Sequence, residues 1–249
     1  IKCKGHAIEC RIYAEDTEAG GLPSTGTLRV FETPSMQDVR LDTGFINADV
    51  VTRFYDPMLG KLIAFGPTRE AATAKLHQAL MHYVMGGLKT NLPFLRSLIA
   101  SKPFKKVQLG TSFLSTHHIT PAPVDSANIL MFSAALRYLT RQEKSAVVRA
   151  CTGFEIQGQM RYPAYFAIDN THYTTHITPT SSQAFSFEFD GKTEHIHASL
   201  QHDFLEIQTN HTKTQAYVSY DKTAQYAIYT ASGTTEVACV NSPAQHEST

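Results

Sequence analysis

The second half of the chain contains the feature that most constrains the fold, a series of segments in which every second residue is apolar. This period is typical of strands with one buried face. In one segment Phe185, Phe187 and Phe189 share a face, and Asp190-Gly191 then predicts a tight hairpin turn. The pattern predicts about eight antiparallel strands. They run over residues 162–169, 173–178, 185–189, 196–200, 204–209, 215–220, 224–230 and 236–240.

A single helix is predicted ahead of these strands. Asp125 or Ser126 can cap its start, and the helical pattern runs to Glu143. Its middle, Ile129 to Leu136, is apolar almost all the way round, so the helix is expected to be buried on most sides. It is shorter than the roughly 18 apolar residues of a membrane span. These features predict an antiparallel β-barrel, or a strongly curved sheet, wrapped on one long helix.

The first half is organised around a predicted strand from Ala7 to Tyr13, which has one apolar and one polar face. Ile8, Cys10 and Ile12 form the apolar face, and Glu9, Arg11 and Tyr13 form the polar face. The guanidinium of Arg11 is a fixed positive fork that suits a planar oxyanion. Taken alone, the residues favour a plainer alternative, an arginine held by Glu9 on a solvated strand face.

Further strands and two helices complete an α+β unit, an antiparallel sheet with covering helices. Thr68 is expected to cap a helix over residues 69–85, and Gly86-Gly87 to end it. Asn91 is expected to cap a shorter helix with Pro93 in its first turn. The predicted strands are Thr27 to Thr33, Val39 to Asp42, Val50 to Arg53 and Lys61 to Gly66.

Composition narrows the classes of function. The formal net charge is zero, with 22 basic and 22 acidic residues, so neither nucleic acid nor a membrane surface is an expected partner. No membrane span or signal peptide is expected. The four cysteines are scattered and are predicted to be reduced thiols in a cytosolic or matrix protein. They are Cys3, Cys10, Cys151 and Cys239.

Twelve histidines raise the possibility of a metal site. His195 and His197 share a strand face, and His172 can align with His176. A cysteine or carboxylate at ligand spacing does not accompany them, so a solvent-facing strand side explains them more simply. We therefore predict no metal site and reject a zinc hydrolase.

Four blocks in the first half carry a family resemblance. They are GHAIECRIYAED at residues 5–16, LPSTG at 22–26, YDPMLGKL at 55–62 and GLKTN at 87–91. In this order they resemble the C-terminal part of the biotin carboxylase domain of biotin-dependent carboxylases, which are ligases. The resemblance covers residues 1–118.

The resemblance implies a role for Arg11 in the carboxylation site, where it stabilises the biotin enolate and its anionic partners. It also implies that Glu9, Tyr55 and Asp56 lie around the biotin site and support it. The residues alone leave plainer roles open, because Asp56 can start a turn and Tyr55 can belong to the core. Lys61 alone fits a solvated strand charge.

The same resemblance implies ATP, Mg²⁺, bicarbonate and biotin as cofactors and reactants of the intact enzyme. In the family an ATP-grasp region precedes this point, and its phosphate loop and metal-binding glutamates have no match here. These 249 residues, which begin at Ile1, are therefore expected to be a fragment that binds none of these cofactors and is inactive alone. An Ala-Met-Lys-Met site has no match either, so no lysine here is a biotinylation candidate.

A change in composition between Lys102 and Pro123 predicts a domain boundary near residue 120. The predicted division is 1–118 for the biotin carboxylase C-terminal subdomain, 119–124 for a linker, 125–241 for the barrel and 242–249 for a linker tail. The order of one helix followed by strands resembles the carboxyltransferase-interaction (BT) domain of propionyl- and methylcrotonyl-CoA carboxylase α subunits.

Together the resemblances imply the α subunit of a two-subunit acyl-CoA carboxylase, in the bacterial cytoplasm or the mitochondrial matrix. The expected partners are a carboxyltransferase β subunit and a biotinyl carrier domain, and acyl-CoA would be bound only by the partner. Residues 113–118 favour the methylcrotonyl-CoA type, with propionyl-CoA or another acyl-CoA as the alternative. A barrel that binds a small ligand is the alternative for the second half.

Overall fold

The computed structural model describes residues 2, 4–143, 160–221 and 224–240. The predicted fold class is confirmed: an α+β unit with an antiparallel sheet and covering helices precedes a closed antiparallel barrel built on one long helix. The two compact units are Ile1–Val124 with Tyr229–Thr234, and Asp125–Ile228 with Thr235–Thr249. The predicted tail at 242–249, Cys3 and Cys151 lie outside the described residues.

Along the chain, two groups of strands are separated by a stretch that is mostly helical. In the first unit they are β1 His6–Tyr13, β2 Glu15–Asp16, β3 Leu22–Pro23, β4 Gly26–Thr27, β5 Val30–Glu32, β6 Val39–Asp42, β7 Val50–Val51, β8 Met58–Gly66, α1 Arg69–Met81, β9 Val84–Gly86, α2 Leu92–Ala100, α3 Lys102–Lys105 and α4 Phe113–Thr116. After them come α5 Ser126–Glu143, β10 Tyr162–Ile168, β11 Thr171–Pro179, β12 Ala184–Phe189, β13 Lys192–Gln201, β14 Phe204–Gln208, β15 Lys213–Tyr220, β16 Gln225–Thr230 and β17 Gly233–Cys239.

The main sheet of the first unit has the order β1-β8-β6, with every neighbouring pair antiparallel. The apolar face of β1 predicted from the sequence is the inner one: Cys10 and Ile12 are buried, and Ile8 packs against the same core. Leu62 of β8 and Leu76 of α1 are fully buried in that core. Burying an apolar side chain of this size stabilises a fold by about 1.5–3 kcal/mol, so the polar face of β1 is left pointing outward.

The first helix begins as predicted and ends earlier. The Thr68 hydroxyl accepts a hydrogen bond from the Ala71 N–H at 3.2 Å, which confirms the cap. The prediction of helix to residue 85 was wrong, since Val84–Gly86 form β9 and pair with β5. Buried Arg96 donates to the carbonyl oxygens of Leu80 at 2.9 Å and Tyr83 at 2.6 Å. These bonds satisfy carbonyls at the end of the helix. The residues that follow leave the helix and pair with β5.

Two predicted strands of this unit are shorter or divided. Residues 27–33 are split between β4, which pairs with β7, and β5, which pairs with β9. Residues 50–53 contribute only the two residues of β7. β4 and β7 form one two-stranded sheet, and β5 and β9 form another, so local alternation overstated the length of regular pairing.

The second unit is a closed barrel with the strand order β10 to β17. Helix α5 supplies Phe132 and Leu136 to the same core as Phe166 and Ile207 from the strands, and all four side chains are fully buried. The hairpin predicted at Asp190-Gly191 is present, because both residues have positive φ, 50° and 71°. The barrel is therefore filled by the helix that the sequence predicted to be buried.

The start of α5 is capped by the first of the two predicted residues. The Asp125 carboxylate accepts from the Asn128 N–H at 3.2 Å, and farther along, the Ser133 hydroxyl donates to the Ile129 carbonyl at 2.8 Å. Ser133 is fully buried, and this bond satisfies its hydroxyl inside the barrel. Among the described helices, none combines the length and the apolar character needed to cross a bilayer.

Candidate functional site

The outward face of β1 presents Glu9, Arg11 and Tyr13 in a row. The Arg11 Nε lies 3.6 Å from the Glu9 Oε1. The neighbouring Tyr13 side chain, and then the charge of Glu9, raise the pKa of Arg11 above its ordinary value. The Arg11 side chain is 62% exposed, so this ion pair stabilises the fold little. The result is a permanent cation with a restrained orientation on an accessible face.

Two neighbouring strands add charge beside Arg11. Lys61 of β8 is directly opposite Arg11 in the register, and Asp42 of β6 is opposite Lys61 on the other side. Asp42 is already engaged by Arg40, whose Nε lies 3.2 Å from its Oδ1. Within the described part of the chain Lys61 has no ion pair. Like charges facing each other across strands repel. An anion bound between Arg11 and Lys61 would reduce this repulsion, so the pair favours anion binding.

Tyr55 and Asp56 lie just before β8, at the end of the sheet where β1 finishes. The Asp56 carboxylate accepts from the Met58 N–H at 2.8 Å, and the Ala14 N–H donates to the Pro57 carbonyl at 2.9 Å. The turn role open to Asp56 from the sequence is thus present. Tyr55 is 84% exposed, so its alternative as an ordinary core residue was wrong.

The four sequence blocks meet at this same end of β1. The Ser24 N–H donates to the Ala14 carbonyl at 2.8 Å, and the Lys89 N–H donates to the Ser24 hydroxyl at 3.0 Å. The Lys89 ammonium also lies 2.5 Å from the Asp16 carboxylate, which lowers the pKa of Asp16. Residues of these blocks that are up to 80 positions apart in the chain therefore share one hydrogen-bonded corner.

One glycine is required in this corner. Gly87 has φ +99°, a conformation that residues with a side chain rarely adopt. A Cβ added there would lie 2.1 Å from the Thr27 carbonyl oxygen. The absence of a side chain lets the GLKTN block approach β4 closely.

Asn91 stands at the predicted N-cap position of α2, but it makes no side-chain capping bond there. Its side chain does not cap α2 but turns to β1: the Nδ2 donates to the Arg11 carbonyl at 3.1 Å, and the Oδ1 accepts from the Tyr13 N–H at 2.9 Å. Its own N–H donates to the Tyr13 carbonyl at 3.1 Å. The signal that could have identified it is its place at the end of the fourth block, GLKTN.

The thiol next to Arg11 is not a reactive group. Burial and then the charge of Glu9 raise the pKa of Cys10 to about 12, so the thiol is neutral at physiological pH. Cys10 and Cys239 are both free thiols, as predicted.

Two histidines of the barrel have polar neighbours on the adjacent strand. His195 Nδ1 and the Ser186 hydroxyl are 2.9 Å apart, and His176 is opposite Glu188 in the register. Across the described ranges, no three His, Cys, Asp or Glu side chains are grouped to hold a metal ion.

Comparison with known proteins identifies the first unit. The sequence profile described as biotin carboxylase C-terminal domain matches residues 9–116. Residues 9–116 are therefore a biotin carboxylase C-terminal domain, as the four blocks predicted. The first half of the chain is homologous to biotin carboxylases and to the α subunits of acyl-CoA carboxylases.

Three relatives illustrate this homology. Biotin carboxylase 2 of Bacillus subtilis (strain 168) is 45% identical over 117 residues, covering 47% of this chain and 26% of the relative. The mitochondrial propionyl-CoA carboxylase alpha chain of Rattus norvegicus is 35% identical over 161 residues, 59% of this chain and 22% of the relative. The mitochondrial methylcrotonoyl-CoA carboxylase subunit alpha of Mus musculus is 31% identical over 191 residues, 74% of this chain and 26% of the relative. The chain thus spans only 22% to 26% of their lengths.

Proposed function

We propose that this chain is part of the α subunit of a biotin-dependent acyl-CoA carboxylase, with methylcrotonyl-CoA as the favoured acyl-CoA. Residues 1–118 are the C-terminal subdomain of its biotin carboxylase, 119–124 a linker, 125–241 the carboxyltransferase-interaction domain and 242–249 a linker tail. The observation that carries this proposal is the match of residues 9–116 to the biotin carboxylase C-terminal domain.

In the intact enzyme, ATP, Mg²⁺ and bicarbonate would supply the activated carboxyl group that biotin accepts. Arg11 offers two parallel N–H donors to the negative charge that develops on biotin as it reacts. The Glu9 carboxylate, 3.6 Å from the Arg11 Nε, restrains this donor beforehand. Preorganisation of this kind is what makes a donor effective in a transition state.

The charge around Arg11 supports the same role. Lys61 faces Arg11 across the two strands, and an anion between them would relieve their repulsion. Tyr55 and Asp56 border the end of the sheet where β1 meets β8, which supports the proposal that they contribute to the biotin site.

The barrel is the proposed docking domain for the carboxyltransferase β subunit. The alignment with the mouse methylcrotonoyl-CoA carboxylase α subunit covers 74% of this chain, more residues than the 124 that precede Asp125, so it extends into the barrel. The interior contains α5, which favours docking over a small-ligand barrel. The propionyl-CoA type is the second candidate, because the rat α chain also aligns over 161 residues.

The remaining partners follow from this proposal. The biotinyl carrier domain would bring biotin to Arg11, and acyl-CoA would bind only to the β subunit. We place the enzyme in the bacterial cytoplasm or the mitochondrial matrix.

The test is Arg11→Ala in the full-length α subunit. The variant is expected to slow biotin carboxylation about 100-fold, since one preorganised donor to the transition state is lost. ATP binding should change far less. Both are measured on the same preparation, the first with free biotin and bicarbonate and the second by nucleotide titration.

Arg161→Ala is the matched control, because Arg161 also forms an exposed ion pair with a glutamate, Glu188, at 2.9 Å. It should leave both quantities unchanged. Equal losses of carboxylation and ATP binding in the Arg11 variant would contradict the assigned role.

A further inference from the structure

Asn91 forms hydrogen bonds to the β1 backbone at Arg11 and Tyr13. It is only 5% exposed and lies 80 positions from Arg11 in the chain. Its side-chain amide donates to the Arg11 carbonyl and accepts from the Tyr13 N–H, while its backbone N–H donates to the Tyr13 carbonyl. One residue thus makes three hydrogen bonds to a segment of three residues.

This segment of β1 is the part that needs support. β1 is an outer strand of the sheet β1-β8-β6, and its pairing with β8 shifts register between Ile12 and Tyr13. A register shift bends a strand and redirects its side chains. Asn91 occupies the side of β1 away from β8, where it supplies the donor and acceptor that another strand would supply.

We propose that Asn91 is a positioning residue for Arg11, an inference that rests on the proposed function of Arg11. It holds the peptide of Arg11 directly, and it holds the backbone of Tyr13, which lies on the same face of β1 as Arg11. Asn91 thereby sets the direction of the guanidinium without contacting biotin.

The geometry also explains why an amide is required. The Arg11 carbonyl needs a donor, and the Tyr13 N–H needs an acceptor. A planar amide provides both at once, whereas a carboxylate of the same shape provides only acceptors. Asn91→Asp therefore replaces the bond to the Arg11 carbonyl with repulsion while changing the volume little.

The experiment is a double-mutant cycle in the full-length α subunit with Arg11→Ala, Asn91→Asp and the combination. The readout is bicarbonate-dependent ATP cleavage driven by free biotin. Asn91→Asp is expected to lower kcat about tenfold, because small displacements of a catalytic donor are costly, and to leave the KM for ATP within about twofold. In the Arg11→Ala background it should lower the rate by less than about twofold, since residues that act as a unit are not additive.

Two further variants separate positioning from folding. Thr68→Ala removes the α1 cap in the same unit and should lower the thermal midpoint while leaving kcat unchanged. Asn91→Ala keeps the backbone bond to Tyr13, and it should reproduce the kcat loss at a temperature where circular dichroism shows it folded.

The outcomes are distinct. If Arg11→Ala has no effect on the rate, the proposed function of Arg11 fails. If Arg11→Ala is slow but the Asn91 variants are not, or if their loss adds in full to that of Arg11→Ala, the positioning role is overturned. Failure of both Asn91 variants to fold would also overturn it, since Asn91 would then serve the fold alone.

Discussion

The interiors of the two units are stabilised in different ways. In the first unit, buried polar side chains join distant segments: Arg96 binds the end of α1, and Asn91 binds the end of β1. In the barrel, Tyr138 of α5 also reaches a distant segment, because its hydroxyl donates to the Ser181 carbonyl. The buried Ser133 and Thr175 bond to backbone 4 and 11 positions away, and α5 packs in an apolar core. Directed bonds specify the position of a side chain, whereas burial is non-directional. The comparison associates the proposed site of the first unit with directed bonds, and the second unit with a core that is mainly apolar.

The largest expected effect tests the barrel. Phe132→Ala removes a fully buried ring of α5 and should lower the free energy of unfolding of the barrel by about 3–5 kcal/mol. Urea denaturation of the full-length α subunit measures it. The same variant should lose capture by an immobilised β subunit but keep biotin-dependent ATP cleavage, because the proposed site lies in the first unit.

Val124→Ala is the control for that variant, since Val124 is 41% exposed, and it should be close to neutral. Full capture by the β subunit after the barrel has unfolded would contradict the docking role. Loss of both β-subunit capture and ATP cleavage would contradict the proposal that the two units have separate roles.

The next effect tests the corner where the sequence blocks meet. Gly87→Ala should destabilise the first unit by about 1–3 kcal/mol, because the left-handed backbone and the Thr27 carbonyl both oppose a Cβ. Gly44→Ala is the matched control, since a Cβ there meets no atom within 4 Å. Thermal unfolding compares the two, and equal shifts of their midpoints would count against the close approach at Gly87.

The smallest effect concerns pH. Burial raises the pKa of the Cys10 thiol from 9.0 to about 12. The unfolded chain therefore loses this proton at lower pH than the folded protein, so stability is complete below pH 9 and falls as pH rises toward 12. Between pH 9 and 10 the loss should be about 1 kcal/mol, measured by urea denaturation.

Cys10→Ala provides the reference for the pH series. Its own stability should decline less steeply over the same interval, because the variant has no buried thiol to ionise. Parallel slopes for the two proteins would show that Cys10 does not cause the decline.

The predictions from the sequence succeeded where a local period decides the outcome. The alternation at Cys10 and Ile12 predicted the buried face of β1, and the apolar run from Ile129 to Leu136 predicted the buried helix. The predictions were wrong where a distant group decides the structure. The helix predicted beyond Met81 is absent because Arg96 bonds the carbonyl of Leu80 and the following residues pair with β5. The roles of Arg11, Glu9, Tyr55 and Asp56 in biotin carboxylation stay predictions.

Sequence alone determined which side chains of β1 and β12 face inward, because side-chain direction follows from the backbone period of a strand. It also determined the family of residues 9–116, because four blocks occur in a specific order. Only the tertiary structure decided that Asn91 binds β1 instead of capping α2. An asparagine amide satisfies either partner equally well, and which one it meets depends on a chain reversal across 80 positions that no local pattern encodes.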